Sequence, residues 1–446
     1  MPVTDTTPHV TEFAGVAIAE LAERFGTPCY VYDAAMIRRR VADLAPFNTH
    51  PSDAIRYAQK ANSNLAVLDL VRREGVLVDA VSAGEIARAL AAGYTPGPGD
   101  HAAGRPPEIV YTADIFDRAS LNAVVEHDLA VNCGSPDMID QYGERCRAAG
   151  RERGVTLRIN PGFGHGHSQK VNTGGEGSKH GVWHEQIEEC VERAARHGLT
   201  IDGLHMHIGS GTDMQHLGRV ADAMEGFARR VGPSLHSISA GGGLSTPYRG
   251  DEPEVDVAAY YELWNATRER LAAEFGHPIG LEIEPGRYLA AESGALITEV
   301  RAVKRMGSKE YVLVDAGFNN LVRPAMYGSY HPIGVCPREA SRLKPQASSL
   351  GPRDSNPAAF VVAGPLCESG DIFTQEEGGF VAERELPRPA VGDYLVIGAA
   401  GAYGYTMASN YNSKPLVAEA LIDGGEARLV RMPQTPEELV AAERFA

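Results

Sequence analysis

The chain has 446 residues, a formal charge of −16, and 43% hydrophobic and 22% charged residues, the composition of an ordinary globular protein with length for two or three domains. The acidic balance argues against nucleic acid and anionic membranes as partners, and no stretch approaches the roughly 18 unbroken apolar residues of a membrane span. The opening MPVTDTTPHV lacks a basic stretch followed by an apolar core, and the six cysteines (Cys29, Cys133, Cys146, Cys190, Cys336, Cys367) form no CxxC pair, so the expected setting is a reducing cytoplasm without a secretory signal.

From about residue 54 to 290, short apolar runs alternate with helical patterns. The runs predict strands at Arg56–Lys60, Leu77–Ser82, Ile109–Ala113, Ala130–Ser135, Thr156–Pro161, Gly203–Ile208, Ser237–Ala240 and Gly280–Glu284. Between them, Asn64–Glu74 and Ala83–Ala92 carry Leu, Ala and Arg at helical spacing, and Gly75, Gly93 and Gly198 stand where helices should stop. Eight such units in series predict a closed (β/α)8 barrel, which needs roughly 250 residues. After about residue 295 the runs Tyr311–Asp315, Ala359–Ala363, Tyr394–Ile397 and Ala427–Arg431 alternate with Gly, Pro and Asp, predicting an all-β domain that Cys29–Tyr32 joins from the N-terminal side. The segment 333–357, rich in Pro, Ser and Arg, reads as a loop or poorly ordered insert.

Chemistry in such barrels gathers at the C-terminal ends of the strands, where this sequence places its unusual residues. Lys60, in YAQKAN, ends the first strand. A charge on a buried strand is costly unless paired or used; alone it favours a structural salt bridge, although a desolvated lysine is also suited to a Schiff base. The triple glycine Gly241–Gly243 and the Gly209–Gly211 turn with Ser210 can bring backbone N–H groups to a phosphate, or can be tight turns. Glu284 is either a buried structural acceptor or the group that keeps a pyridine nitrogen protonated. His205 and His207 alternate in HMH and point to one side, a pattern open to a metal or to a ring stacked on a cofactor. Two histidines do not complete a zinc site, and the stacked ring is preferred for His207.

Together YAQKAN, VSAGE, HMHIGSG, AGGGL and EPGRY resemble the fold-type III pyridoxal-phosphate decarboxylases. The blocks RINPGFGHGHSQKVNTGGEGSKHG, VDAGFNNLVRPAMYGSYH, GPLCESGD and GAYGYTMASNYNSKP are similar to the proteobacterial-type branch of the diaminopimelate decarboxylases, and the resemblance covers roughly residues 25–440. It implies an alanine-racemase-like barrel at 35–290, with 1–34 and 291–446 forming a β-sandwich-like domain that contributes to the active sites of a homodimer. It implies Lys60 as the anchor of pyridoxal 5'-phosphate, His207 stacked on its ring and Glu284 at its nitrogen. Ser210, Gly242, Gly243, Gly286 and Arg287 would lie around the phosphate, with Asp79 and Arg158 in support. Cys367 would donate a proton from the partner subunit. Arg287, Arg323, Tyr327 and Glu368 would bind substrate, and Tyr403 would touch both substrate and cofactor. No metal is expected.

The implied reaction converts meso-2,6-diaminopimelate to lysine and carbon dioxide. A decarboxylase of another D- or diamino acid is the near alternative. A racemase of this fold would pair the ring nitrogen with arginine, where this chain offers Glu284. From other classes, a metal-dependent barrel hydrolase would need more ligands than HMH supplies. A non-catalytic homologue would have no use for Cys367, Glu368 and Tyr403.

Overall fold

The eight expected barrel strands are all present in the structure, a computed structural model that describes residues 9–164, 173–207, 209, 213–338 and 357–445. They are β1 (Ala54–Ala58), β2 (Leu77–Ala80), β3 (Ile109–Ala113), β4 (Ala130–Cys133), β5 (Arg153–Asn160), β6 (Leu199–His205), β7 (Ser237–Ser239) and β8 (Gly280–Ile283). Each pairs in parallel with the next, and β8 pairs with β1, so the sheet closes. Every residue of β1 and β8 is buried. That follows from closure, since one face packs on helices and the other on the barrel interior.

The helices between the strands start and stop on local signals. Asn64 caps Leu65–Arg73 by accepting from the Ala66 N–H, and Ser82 caps Ala83–Ala91 by accepting from Glu85. Gly75, Gly93 and Gly198 follow helix ends with φ of 81°, 91° and 71°, a left-handed backbone that glycine adopts without strain.

Chain contacts divide the protein into two units. One comprises Arg38–Ser245 and Glu254–Tyr288 and contains the barrel; the other comprises Met1–Ile37, Thr246–Pro253 and Leu289–Ala446. The second unit is built around the long strand Gly294–Met306, which pairs with Cys29–Asp33, with Lys309–Val314 and with Tyr394–Ile397. Ala418–Asp423 and Glu426–Arg431 extend the sheet beyond Cys29–Asp33, and Ala358–Ala363 and Arg384–Leu386 extend it beyond Lys309–Val314. One expectation is corrected here. Residues Ile333–Cys336, expected to belong to a loop, form a buried strand antiparallel to Tyr394–Ile397. The run IGVC is short and sits between Pro332 and Pro337, so its apolar character is diluted in any longer window. Residues 339–356 lie outside the described part.

Inside the barrel, charge replaces part of the usual apolar filling. Glu282 on β8 receives two hydrogen bonds from the guanidinium of Arg56 on β1, at 2.7 and 3.0 Å, and Arg56 is fully buried. Burial alone would raise the Glu282 carboxyl; the Arg56 and His101 charges outweigh it and hold the carboxyl low. Arg56→Ala would strand a buried carboxylate and is expected to cost about 3–5 kcal/mol. The double variant Arg56→Met/Glu282→Leu should recover most of that loss in chemical denaturation. A single variant as stable as the parent would show that the pair has no structural role.

Candidate active site

The polar residues of the barrel converge at the C-terminal ends of its strands. Lys60 stands two residues beyond β1 and is exposed on the chain. The cost of burying a charge is therefore not what marks it, and that part of the reasoning from sequence is corrected. Its surroundings mark it instead, because its charge acts on Asp79, Glu85, Glu284 and His207.

Glu284 follows β8 and is nearly buried. Its Oε2 lies 3.0 Å from Nε2 of His205, the last residue of β6. A carboxylate can only accept from this ring, so Nε2 carries the proton. Burial would raise the Glu284 carboxyl, but the His205 charge and hydrogen bond, then Lys60, outweigh it and hold it well below the usual range. Asp79 is driven the other way, by burial first and the charge of Glu284 second, against the lowering effect of Lys60. Two carboxyls in one electrostatic field thus separate into an ionised one and one that holds its proton more firmly.

The two histidines of HMH have different places. His205 ends the strand and is bound to Glu284, whereas His207 lies beyond it, half-buried, and receives the Thr173 hydroxyl on its backbone carbonyl at 2.8 Å. Burial, then Arg158 and Lys60, push the His207 imidazole far below the ordinary histidine value, so the ring is neutral. Arg158, inside β5, is almost fully buried.

The glycine turn after β7 is a close approach of three backbones. A Cβ on Gly241 would lie 2.6 Å from the Met206 carbonyl oxygen, on Gly242 2.9 Å from that of Glu284, and on Gly243 2.7 Å from that of Gly209. Gly241 and Gly243 also hold φ of 65° and 113°, so larger residues are excluded twice over. Gly286 is similarly tight, its Cβ falling 3.0 Å from the Ala58 carbonyl oxygen. Arg287, half-buried, opens the short helix Arg287–Ala290. Ser210 lies outside the described residues.

One residue at this mouth was missed from sequence. Gln59, beside Lys60, is fully buried, and neither of its amide atoms has a partner among the described residues. Asp79 Oδ1, His205 Nδ1 and His207 Nδ1 share that condition. Buried groups of this kind call for a partner, and their clustering identifies the mouth as a place for a polar guest. A second polar residue directly before Lys60, in YAQKAN, was the available signal.

The remaining expected site residues belong to the second unit. Arg323 begins the helix Arg323–Tyr327 and is 6% exposed. Its Nη1 donates to the Tyr248 hydroxyl and to His331 Nε2, each at 3.0 Å. Tyr327 ends that helix, half-buried. Tyr403 holds φ of 58°, a conformation uncommon outside glycine and enriched at functional sites. The backbone is closely packed on either side, where a Cβ on Gly401 would meet the Ala290 carbonyl oxygen and one on Gly404 that of Ala400. Cys367 and Glu368 are exposed; the Cys367 backbone N–H donates to Asn412 Oδ1 at 2.8 Å.

Comparison with known proteins gives the family. Residues 35–291 match the pyridoxal-dependent decarboxylase family, at its pyridoxal binding domain. The chain is 52% identical to a diaminopimelate decarboxylase of Escherichia coli (strain K12) over 433 residues, 97% of each chain. It is 53% identical to that of Streptomyces coelicolor over 429 residues, 96% of this chain and 92% of the other. A crystal structure of diaminopimelate decarboxylase superposes with a TM-score of 0.87 at 51% identity, covering 98% of both chains. With an ionised Glu284 beside a glycine-lined barrel mouth and Lys60 in the same field, the chain belongs to the pyridoxal-dependent decarboxylases.

Proposed function

We propose that the protein decarboxylates meso-2,6-diaminopimelate to lysine, using pyridoxal 5'-phosphate held at the barrel mouth. The observation that carries this reading is the Glu284–His205 pair. A pyridine ring accepts electrons well only when its nitrogen is protonated, and an ionised carboxylate keeps that proton in place. The hydrogen bond from His205 fixes one oxygen of Glu284 and leaves the other available.

The residues at hand fit the cofactor. The Gly241–Gly243 turn has backbone where side chains would block a phosphate, and the orphaned Gln59, Asp79 and His207 atoms await polar partners. The cofactor, when bound, supplies a sink for the electron pair left at the α-carbon as carbon dioxide departs. Lys60 would offer the amine that anchors it. The neutral His207 ring offers a flat face, and Arg158 and Lys60 keep it from taking a proton.

The other steps concern substrate. Diaminopimelate carries an amino-acid group at each end, so one carboxylate must leave while the other is recognised. Arg323 receives the distal carboxylate through charge-assisted hydrogen bonds, with Arg287 and Tyr327 in support. An amino acid without that carboxylate would leave a buried guanidinium unanswered, which discriminates strongly. Cys367 delivers a proton to the α-carbon and Glu368 answers the distal ammonium, both from a second copy of the chain; their exposure supports such a role. Tyr403, held at a φ of 58°, would touch both substrate and cofactor.

The purified enzyme is expected to show a visible absorption band that borohydride removes and that Lys60→Ala lacks; a colourless parent enzyme would overturn the reading. Glu284→Gln should keep the cofactor and lower kcat by roughly 10²–10³-fold, the scale of a lost electrostatic stabiliser. Cys367→Ala should slow turnover by roughly 10²–10⁴-fold, the range for a lost general acid, with substrate binding retained. Unchanged turnover in that variant would remove the thiol from the reaction.

A further inference from the structure

The surroundings of Arg323 contain a device that the reaction alone does not require. His331 is 2% exposed, and its two ring nitrogens face groups of opposite kind. Nδ1 lies 3.0 Å from the Gly398 carbonyl oxygen, and Nε2 lies 3.0 Å from Nη1 of Arg323. A carbonyl oxygen only accepts, so Nδ1 carries a hydrogen. A guanidinium nitrogen only donates, so Nε2 offers its lone pair. The ring is therefore neutral and in one tautomer.

Tyr248 completes the clamp. Its hydroxyl accepts from the same Nη1 at 3.0 Å, and the guanidinium carbon lies 4.9 Å from its ring centre. The Tyr248 and His331 rings meet edge-on, with centroids 5.5 Å apart and planes at 81°. Nη1 has two hydrogens, and the two acceptors use both. Among the described residues, Nε and Nη2 of Arg323 have no hydrogen-bond partner. A carboxylate can bind a guanidinium in a bidentate manner across Nη1 and Nη2 or across Nε and Nη2. With Nη1 already spent, only the second edge is on offer.

We propose that His331 and Tyr248 are positioning residues that fix the guanidinium plane of Arg323 and present its Nε/Nη2 edge to the distal carboxylate of the substrate. The proposal rests on the reading of Arg323 as the carboxylate receptor. It assigns specificity to two residues that need not touch substrate. The neutral tautomer is essential, because a second proton on His331 would set N–H against N–H and like charge against like.

The test compares two ligands with the same amino-acid head, meso-diaminopimelate and D-lysine, which lacks the distal carboxylate. Dissociation constants are read from the change each causes in the visible spectrum of the holoenzyme. His331→Phe should weaken diaminopimelate by roughly 10- to 100-fold, the worth of a hydrogen bond to a charged group, with D-lysine binding changed by less than about twofold on the same scale. His331→Gln, whose amide carries one donor and one acceptor side, should restore most of the preference. Tyr248→Phe should move it the same way, and it removes only a hydroxyl, so it carries the comparison if His331→Phe fails to fold. Equal weakening of both ligands, or an unchanged preference, would overturn the proposal. Arg323→Ala separates the two levels: if it leaves the preference intact, the receptor reading fails; if it abolishes a preference that His331→Phe and Tyr248→Phe retain, the positioning role alone fails.

Discussion

A carboxylate inside a barrel must be protonated or answered by a partner, because its desolvation is otherwise too costly. Strand β8 and the residue after it put two of them on the interior face, Glu282 and Glu284, two positions apart. Arg56 answers the lower one with two hydrogen bonds, and His205 answers the upper one with a single bond. The difference matters. Glu282 is closed off by its paired fork and serves the fold. Glu284 is held ionised with an oxygen to spare, at the end of the strand where a ligand can reach it. The rest of the mouth, from the glycine turn to Lys60, has chemical sense only around that spare oxygen.

The same field sets the neighbouring groups. With Glu284 ionised, Asp79 is pressed towards its protonated form, while Lys60 favours the ionised form of both. His207 is kept neutral by burial and by the cations Arg158 and Lys60. None of these states belongs to a residue in isolation. They follow from closure of the sheet, which brings the ends of β1, β2, β5, β6 and β8 to one rim.

The barrel was legible because each strand is an apolar run bounded by residues that stop helices, and burial on both faces keeps such runs unbroken. Ile333–Cys336 was not, since four apolar residues between prolines vanish in a window long enough to show periodicity. The strand Gly294–Met306 was visible only as a change of texture, because its outer half from Arg301 onward is charged and solvent-facing. At the site, sequence supplied residue types but not their partners. Lys60 was singled out for a burial it does not have, while Gln59 beside it, which is buried with unmet amide groups, drew no notice. His205 was weighed as a metal ligand, because alternation shows which side a residue faces and not what stands opposite. Glu284 lies 79 positions away in the chain, and only the closed sheet brings the two together.

His205 and His331 show how little a histidine's chemistry depends on its own atoms. Each presents Nε2 to a charged group at 3.0 Å. His205 faces a carboxylate, so that nitrogen must donate; His331 faces a guanidinium, so it must accept. In His331 the choice is enforced from behind, where the Gly398 carbonyl takes the Nδ1 hydrogen. In His205 Nδ1 has no partner among the described residues. The His331 tautomer is thus fixed by partners on both ring nitrogens, and the His205 tautomer by the partner on one.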